Sequence, residues 1–313
     1  VLADSPFVAV IGGANVDIHG RSTKPMLAKD SNPGAVSVAA GGVARNVAEN
    51  LARFDIDTRL ISAVGGDHYG DLLVRLTREA GVDVQGVLEF STASTSTYLS
   101  VLDDRGDMLV AVNDMAIIDR LTADALRASA AKLRQAEILV VDANLQVDTL
   151  DWLFATTSGL PVFADTVSAA KANRFRKHLR HIHTLKTGTI EAEALTGLPA
   201  NTASQLKIVA ADLHAQGVQR VFVTRGEKSV FYSDGGAQGL HPIKRDRPEI
   251  RNAVCAGDAF LAGLVYSWLQ GLDLPRTLRF ASATADLTLT NAGTNHPGLS
   301  VQRVNEIMER EHA

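Results

Sequence analysis

The stretch FVAVIGGANVDIHG, residues 7–20, decides how the rest of the chain is read. Its first five residues are apolar without alternation, the pattern of a strand covered on both faces. Gly12 and Gly13 end that strand. A dinucleotide-binding turn would run on into a helix through a third glycine, G-x-G-x-x-G. Here the chain continues instead as NVDIHGRS (15–22), alternating with period two, so an NAD-type site is disfavoured. Asn15 and Asp17 lie on alternate positions and point the same way. The C-terminal end of a sheet strand is where open α/β folds bind ligands. Taken singly, a solvated strand end explains the pair more simply.

Working outward, TRLISAVGG (58–66), EILVVDAN (137–144), LPVFAD (160–165), HTLKTG (183–188) and RVFVTRG (220–226) repeat the buried-strand pattern. Between them, 42–54, 69–81, 122–136, 149–157 and 203–217 carry apolar residues at three- and four-residue spacing, one buried helical face each. The chain turns strongly helical from residue 255 to 291, with a last helix near 300–311. Strand–helix alternation predicts an α/β fold with a doubly wound, mostly parallel sheet. Two segments break the rhythm, about 15–41 and 95–115. Both alternate with period two, and the second folds as a hairpin turning at Asp104–Asp107. They predict a small β-sheet inserted as a lid into one domain spanning 1–313, and its exposed edge invites pairing into a homodimer.

Composition removes several functions. Of 313 residues 46% are hydrophobic and 21% charged, with a formal net charge of −4, so nucleic acid is not an expected partner. One cysteine excludes an internal disulfide and suits a reducing, cytoplasmic setting. No signal peptide and no membrane-spanning run is visible.

Three motifs carry the chemistry. GGVARNVAENLA (41–52) opens a helix on two glycines with Asn46 one turn in, where free N–H groups and the dipole favour polar ligands; an ordinary glycine cap is an equal alternative. RNAVCAGDAF (251–260) runs into an apolar helix whose first N–H groups form an anion site. There Asp258 is either a cap or a carboxylate placed to accept a hydroxyl proton during phosphoryl transfer. The third is K-x-x-x-x-E (186–191). The histidines 178, 181 and 183 show no zinc-ligand pattern and are expected in solvent or as caps.

In order and spacing, the double glycine with Asn46, the inserted hairpin, K-x-x-x-x-E, VTRGEKSVFY (223–232) and AGDAF closely resemble the ribokinase family of sugar kinases, over essentially the whole chain. Residues 29–54, 95–115, 165–171 and 182–186 are similar to its pseudouridine-phosphorylating branch. The resemblance implies ATP-dependent phosphorylation of the 5′-hydroxyl of a nucleoside, pseudouridine, with Mg2+ and, as a further candidate, a monovalent cation. Ribose, adenosine or another nucleoside is the alternative acceptor, and a catalytically weak nucleoside-binding protein the alternative class.

Residue by residue, it implies that Asp17, Gly41, Gly42 and Asn46, with Asn15 beside them, hold the sugar, and that Asp258 is the base. The turn Cys255, Ala256 and Gly257 would be the anion hole for the moving phosphoryl group. Glu191 would serve magnesium through its water shell, and Lys186, Thr224, Gly226 and Asn291 the nucleotide. Adenine is expected between the loop near 240–252 and the helix around 283–291. Thr97, Asn113, Asp114 and Lys171 are candidates for reading the uracil ring. The chain departs from the family pattern at Thr187 and Gly188 (usually proline and asparagine), Ser229 (glycine), and Val254 and Cys255 (threonine and glycine). If position 255 demands positive φ, the cysteine costs about 1–2 kcal/mol. A thiol at a helix N-terminus would also have a lowered pKa, although a small semi-buried residue with no chemical role is the simpler reading of Cys255.

Overall fold

The computed structural model describes residues 6–243, 255–291 and 293–310. Its strands are β1 (Val8–Ile11), β2 (Asn15–Ser22), β3 (Gly34–Gly41), β4 (Thr58–Ile61), β5 (Ala63–Gly65), β6 (Leu88–Phe90) and β7 (Thr97–Leu102). There follow β8 (Met108–Asp114), β9 (Ile138–Asp142), β10 (Val162–Asp165), β11 (Thr184–Gly188), β12 (Arg220–Thr224), β13 (Ser229–Ser233) and β14 (Gln238–Pro242). Eight of them form one sheet in the order β14-β13-β12-β11-β10-β9-β1-β4. It is parallel from β4 to β12, and antiparallel where β13 and β14 extend it.

Alternation within each buried strand feeds two cores. Val8 and Val10 of β1, with Ile138 and Val140 of β9, pack against helices Val43–Ala52, Ala256–Leu269, Leu274–Leu289 and Val301–Arg310. Ala9, Ile11, Leu139 and Val141 face the opposite layer, which includes helices Val147–Thr156, Thr189–Thr196 and Ala203–Ala215. A strand sandwiched this way needs apolar residues at every position, which is why the runs read without alternation.

Chain order reverses between β1 and β9: from β1 the sheet grows one way to β4 and the other way to β12. Their C-terminal ends, Gly12–Gly13 and Asp142, flank the crevice where ligands bind in such sheets. The alternating segments form a separate four-stranded sheet in the order β3-β2-β7-β8, leaving the main one directly after β1.

Three local expectations are corrected. TRLISAVGG is two strands in two sheets: β4 pairs with β1, while β5 pairs with β6. Ser62 separates them, its hydroxyl turned to the Gly12 carbonyl at 2.7 Å. Residues 122–136 form two single-turn helices, Ala123–Leu126 and Ala130–Leu133, joined by a 3-10 turn, since burying Leu126 and Leu133 is all the segment needs. His178 is buried against the Phe154 ring at 5.1 Å, and His181 and His183 are half-buried, because apolar neighbours give these rings more than solvent does.

Gly42 caps helix Val43–Ala52 at φ 98°, and a Cβ there would lie 2.5 Å from the Ala14 Cα. Gly42→Ala should therefore cost about 2–4 kcal/mol in urea or thermal unfolding. Gly159→Ala, at φ 93° with nothing within 4 Å of the added carbon, should cost only about 1 kcal/mol.

Candidate active site

The site is built where two helix N-termini converge on the crevice. Helix Val43–Ala52 presents Asn46, and helix Ala256–Leu269 presents Asp258; both side chains are buried. Asn46 Nδ2 donates to Asp258 Oδ2 at 2.9 Å and lies 3.5 Å from Cys255 Sγ. At the end of β3 Asp17 folds over Gly41, where any side chain would collide with its carboxylate. Asn15 Nδ2 donates to Asp17 Oδ1 at 2.5 Å. Asn15, Asp17, Gly41, Gly42, Asn46 and Asp258 are thus brought together from three separate segments.

Two acidic residues that the sequence reading passed over organise this cluster. Asp142, at the tip of β9, is 1% exposed and accepts from the backbone N–H groups of Gly13 (2.8 Å), Ala44 (3.1 Å) and Asn144 (2.9 Å). It therefore fixes the glycine turn and the start of the Asn46 helix in one bond set. Asp165, its register neighbour at the tip of β10, pairs with Lys186 Nζ at 2.8 Å. Both close buried strands with an acid, ILVVD and VFAD, a signal that was available. The next residue but one, Val167, holds φ 62°, a rare value for a β-branched side chain.

These charges tune one another. Burial, with the Asp165 charge adding to it, pushes the Asp258 carboxyl up to about 8, while Lys186 and the Asn46 hydrogen bond pull the other way. Burial opposes the Lys186 charge, yet Asp165 and Asp258 hold its pKa above the ordinary lysine value. Burial also raises Asp142 and Asp17 against the hydrogen bonds each accepts.

Cys255 reads differently from expectation. Its φ is −100°, so the position does not need glycine and stores no left-handed strain. Its thiol pKa is raised well above the usual value, by burial first and then by the Asp258 and Asp17 carboxylates, and it is a neutral thiol. The helix dipole that would have lowered it is outweighed by desolvation and two negative neighbours. Val254 lies outside the described residues.

At the start of the Asp258 helix, Ala256, Gly257 and Phe260 join Thr224, Gly226, Glu227, Val230, Ile243, Ser282, Ala285 and Leu289 in lining a mainly apolar cleft of about 250 Å³. Gly257 faces the Lys186 ammonium so closely that a side chain would strike Nζ. Glu191, in the first turn of helix Thr189–Thr196, folds back over Gly188, which leaves no room for the family's asparagine in this arrangement. Thr187 is fully buried and accepts from the Thr166 hydroxyl at 2.9 Å, and the Ser229 hydroxyl accepts from Arg225 at 2.9 Å. Asn291 does not line the cleft; its amide donates to the Asn295 carbonyl at 2.6 Å, so it closes its own loop. Most of the 240–252 loop lies outside the described residues.

The four base-reading candidates separate. Asn113 and Lys171 line one recess of about 160 Å³ with Met115, Asn144 and Arg174, and Lys171 Nζ donates to Asn144 Oδ1 at 2.6 Å. Thr97 and Asp114 pair with each other, in register with Val16, and so lie on the sheet face opposite Asp17 and Asn113. Strand alternation sends neighbouring residues 113 and 114 to opposite faces.

A buried carboxylate of raised pKa, a nearby cation and the amides of a helix start suit proton removal from an alcohol beside a transferring phosphoryl group. Fold and comparisons agree on that class: the chain is a phosphotransferase with an alcohol group as acceptor. It belongs to the pfkB family of carbohydrate kinases, whose sequence profile matches residues 5–301. The pseudouridine kinase of Escherichia coli (strain K12) is 38% identical over 310 residues, 98% of each chain. The uncharacterized sugar kinase YeiI of the same strain is 37% identical over 301 residues, 96% of this chain and 83% of its own. The ribokinase of Arabidopsis thaliana, solved with ribose and ATP, superposes with a TM-score of 0.83 over 97% of this chain and 99% of its own. At 21% identity that likeness speaks for the fold.

Lys186→Met should push the Asp258 midpoint further up, because Asp165 and Asp258 would then face each other without a cation. If Asp258 serves as a base it works only when ionised, so activity in the wild type should climb as pH rises through about 8 and the variant's limb should lie higher. Profiles of kcat/KM from pH 6 to 10 check this; at pH 7 the variant should be at least about tenfold slower.

Proposed function

We propose that the protein phosphorylates the 5′-hydroxyl of pseudouridine, with ATP as donor and magnesium as its ion. The observation that carries the chemistry is the buried Asn46–Asp258 pair at the joint helix starts. Support for the nucleoside comes from the 38% identity to a pseudouridine kinase across the whole chain. The nearly equal likeness to a sugar kinase, YeiI, favours a second reading in which another sugar or nucleoside is the acceptor.

In this reading Asp17, Asn46 and the Gly41–Gly42 backbone hold the ribose hydroxyls, and Asp258 takes the proton from the 5′-oxygen. The first amides of helix Ala256–Leu269 receive the transferring phosphoryl group, whose loose transition state needs positioning more than bonding. Lys186 stands beside Gly257 and offsets charge there. Adenine occupies the apolar cleft between Val230 and Leu289. Magnesium would neutralise charge on the donor phosphates. Glu191, half-buried and close enough to act on the Lys186 charge, fits an ion held mainly by phosphate and water. No cluster of three potential ligands occurs among the described residues. The recess of Asn113 and Lys171 meets the base, and the four-stranded sheet is a lid that keeps water from the acceptor site.

The lid's outer face supports a homodimer. Val36 and Val38 of β3, Leu99 of β7, and Val110 and Val112 of β8 share one face in register; Val36 is 74% and Val112 63% exposed. So continuous an apolar sheet face fits a second copy of itself.

With Mg-ATP, pseudouridine should be phosphorylated at least about tenfold more efficiently than uridine, ribose or adenosine, a discrimination of about 1.4 kcal/mol. A panel of kcat/KM values checks this, and preference for another acceptor would select the second reading. Val112→Asp should shift the protein from dimer to monomer in light scattering; a wild type already monomeric would sink the dimer.

A further inference from the structure

Arg45 is the residue beside Asn46, yet no step above uses it. It is 4% exposed, a charge taken almost wholly out of water. Its guanidinium makes an ion pair with buried Glu49, which in turn holds Arg53 at 2.6 Å. Nε donates to Thr77 Oγ1 at 3.2 Å. One nitrogen, Nη1, does two things at once. It donates to the Ala40 carbonyl at 3.2 Å and to Asn46 Oδ1 at 3.3 Å. Ala40 lies at the root of the lid, paired with Val16, and its carbonyl also accepts from Thr294 Oγ1 at 2.6 Å.

An amide side chain can present either end. Asn46 is useful to Asp258 only when Nδ2 faces the carboxylate, and a cation at Oδ1 selects that orientation, since the flipped amide would turn its N–H group toward a guanidinium that only donates. Asn46 is held from its backbone as well, because Asn295 Nδ2 donates to its carbonyl at 3.3 Å. We propose that Arg45 is a positioning residue: it holds the Asn46 amide in the orientation that donates to Asp258 and references that orientation to the root of the lid. This rests on the reading of Asp258 as the base. It goes beyond that reading by naming what keeps the base's partner in place.

The guanidinium fork matters more than the charge. A lysine can still pair with Glu49 but cannot reach Thr77, Ala40 and Asn46 together. The groups that face Asp258 from the packed elements, Asp142, Asp165, Lys186, Asp17 and Cys255, are unchanged by Arg45→Lys. The net charge beside Glu49 is unchanged too.

The test is the titration of the Asp258 carboxyl, followed by 13C NMR in the whole protein, for wild type, Arg45→Lys, Asn46→Ala and the double variant. The assignment comes from Asp258→Asn. Arg45→Lys should raise the midpoint by at least half a pH unit in the wild type and by nothing further when Asn46 is already alanine. In the same variants kcat should fall at least tenfold in Arg45→Lys, and adding Arg45→Lys to Asn46→Ala should lower it by less than a further threefold. A midpoint unmoved by Arg45→Lys, or moved equally with and without Asn46, overturns the proposal. If Arg45→Lys does not fold, Arg45→Gln with Glu49→Gln removes the buried pair together, leaving only the part-exposed Arg53 without its carboxylate, and must show the same dependence on Asn46. Full activity in Asp258→Asn would instead overturn the base reading, and the titration would still decide the role of Arg45.

Discussion

A single hydrogen bond, Asn46 Nδ2 to Asp258 Oδ2, joins residues 212 positions apart and is the contact on which the site depends. It exists only because two helices begin at the same place. The first begins there because Gly42 takes a conformation closed to other residues and Asp142 gathers the surrounding N–H groups. The second packs along the first, and its apolar length lies against helix Leu274–Leu289, where Gly263 allows the backbones to close on Ala281. Packing far from the chemistry thereby sets a distance at the chemistry.

The electrostatics follow from that geometry. Asp17, Asp142, Asp165 and Asp258 are buried around the crevice, while Lys186 is the cation in contact with Asp165. So many carboxylates in one dry place is expensive, and the fold offsets it in two ways. Backbone amides satisfy Asp142, whereas Asp258 is left to hold its proton up to about 8. A group kept short of full ionisation is a poor stabiliser, but a raised pKa of this kind is what the proposed base needs. The strained backbone at Val167, two residues after Asp165, belongs to the same pattern of cost concentrated around the crevice.

Much of the fold was legible because buried parallel strands leave a plain signature. FVAVI, EILVVD and LPVFAD could hardly lie anywhere but inside a covered sheet, and Gly41–Gly42 announced a helix start. What escaped was relational. Nothing in TRLISAVGG shows that Ser62 hands one apolar run to two sheets. Asp142 and Asp165 each look like an ordinary strand-end acid until the register sets them side by side. The thiolate alternative at Cys255 was open because helix position is visible in a sequence and burial between two carboxylates is not. Thr97 and Asp114 part from Asn113 because alternation sends them to the opposite sheet face, and a sequence does not say which face meets a substrate.

The central claim is that Asp258 acts in the chemical step and not in binding. Single-turnover transfer from Mg-ATP to pseudouridine, measured beside the dissociation constant of the nucleoside, tests it in wild type and Asp258→Asn. The account predicts a transfer rate lower by at least about a thousandfold, on the order of 4 kcal/mol, with nucleoside affinity within about threefold of wild type. Transfer within about tenfold of wild type would contradict it.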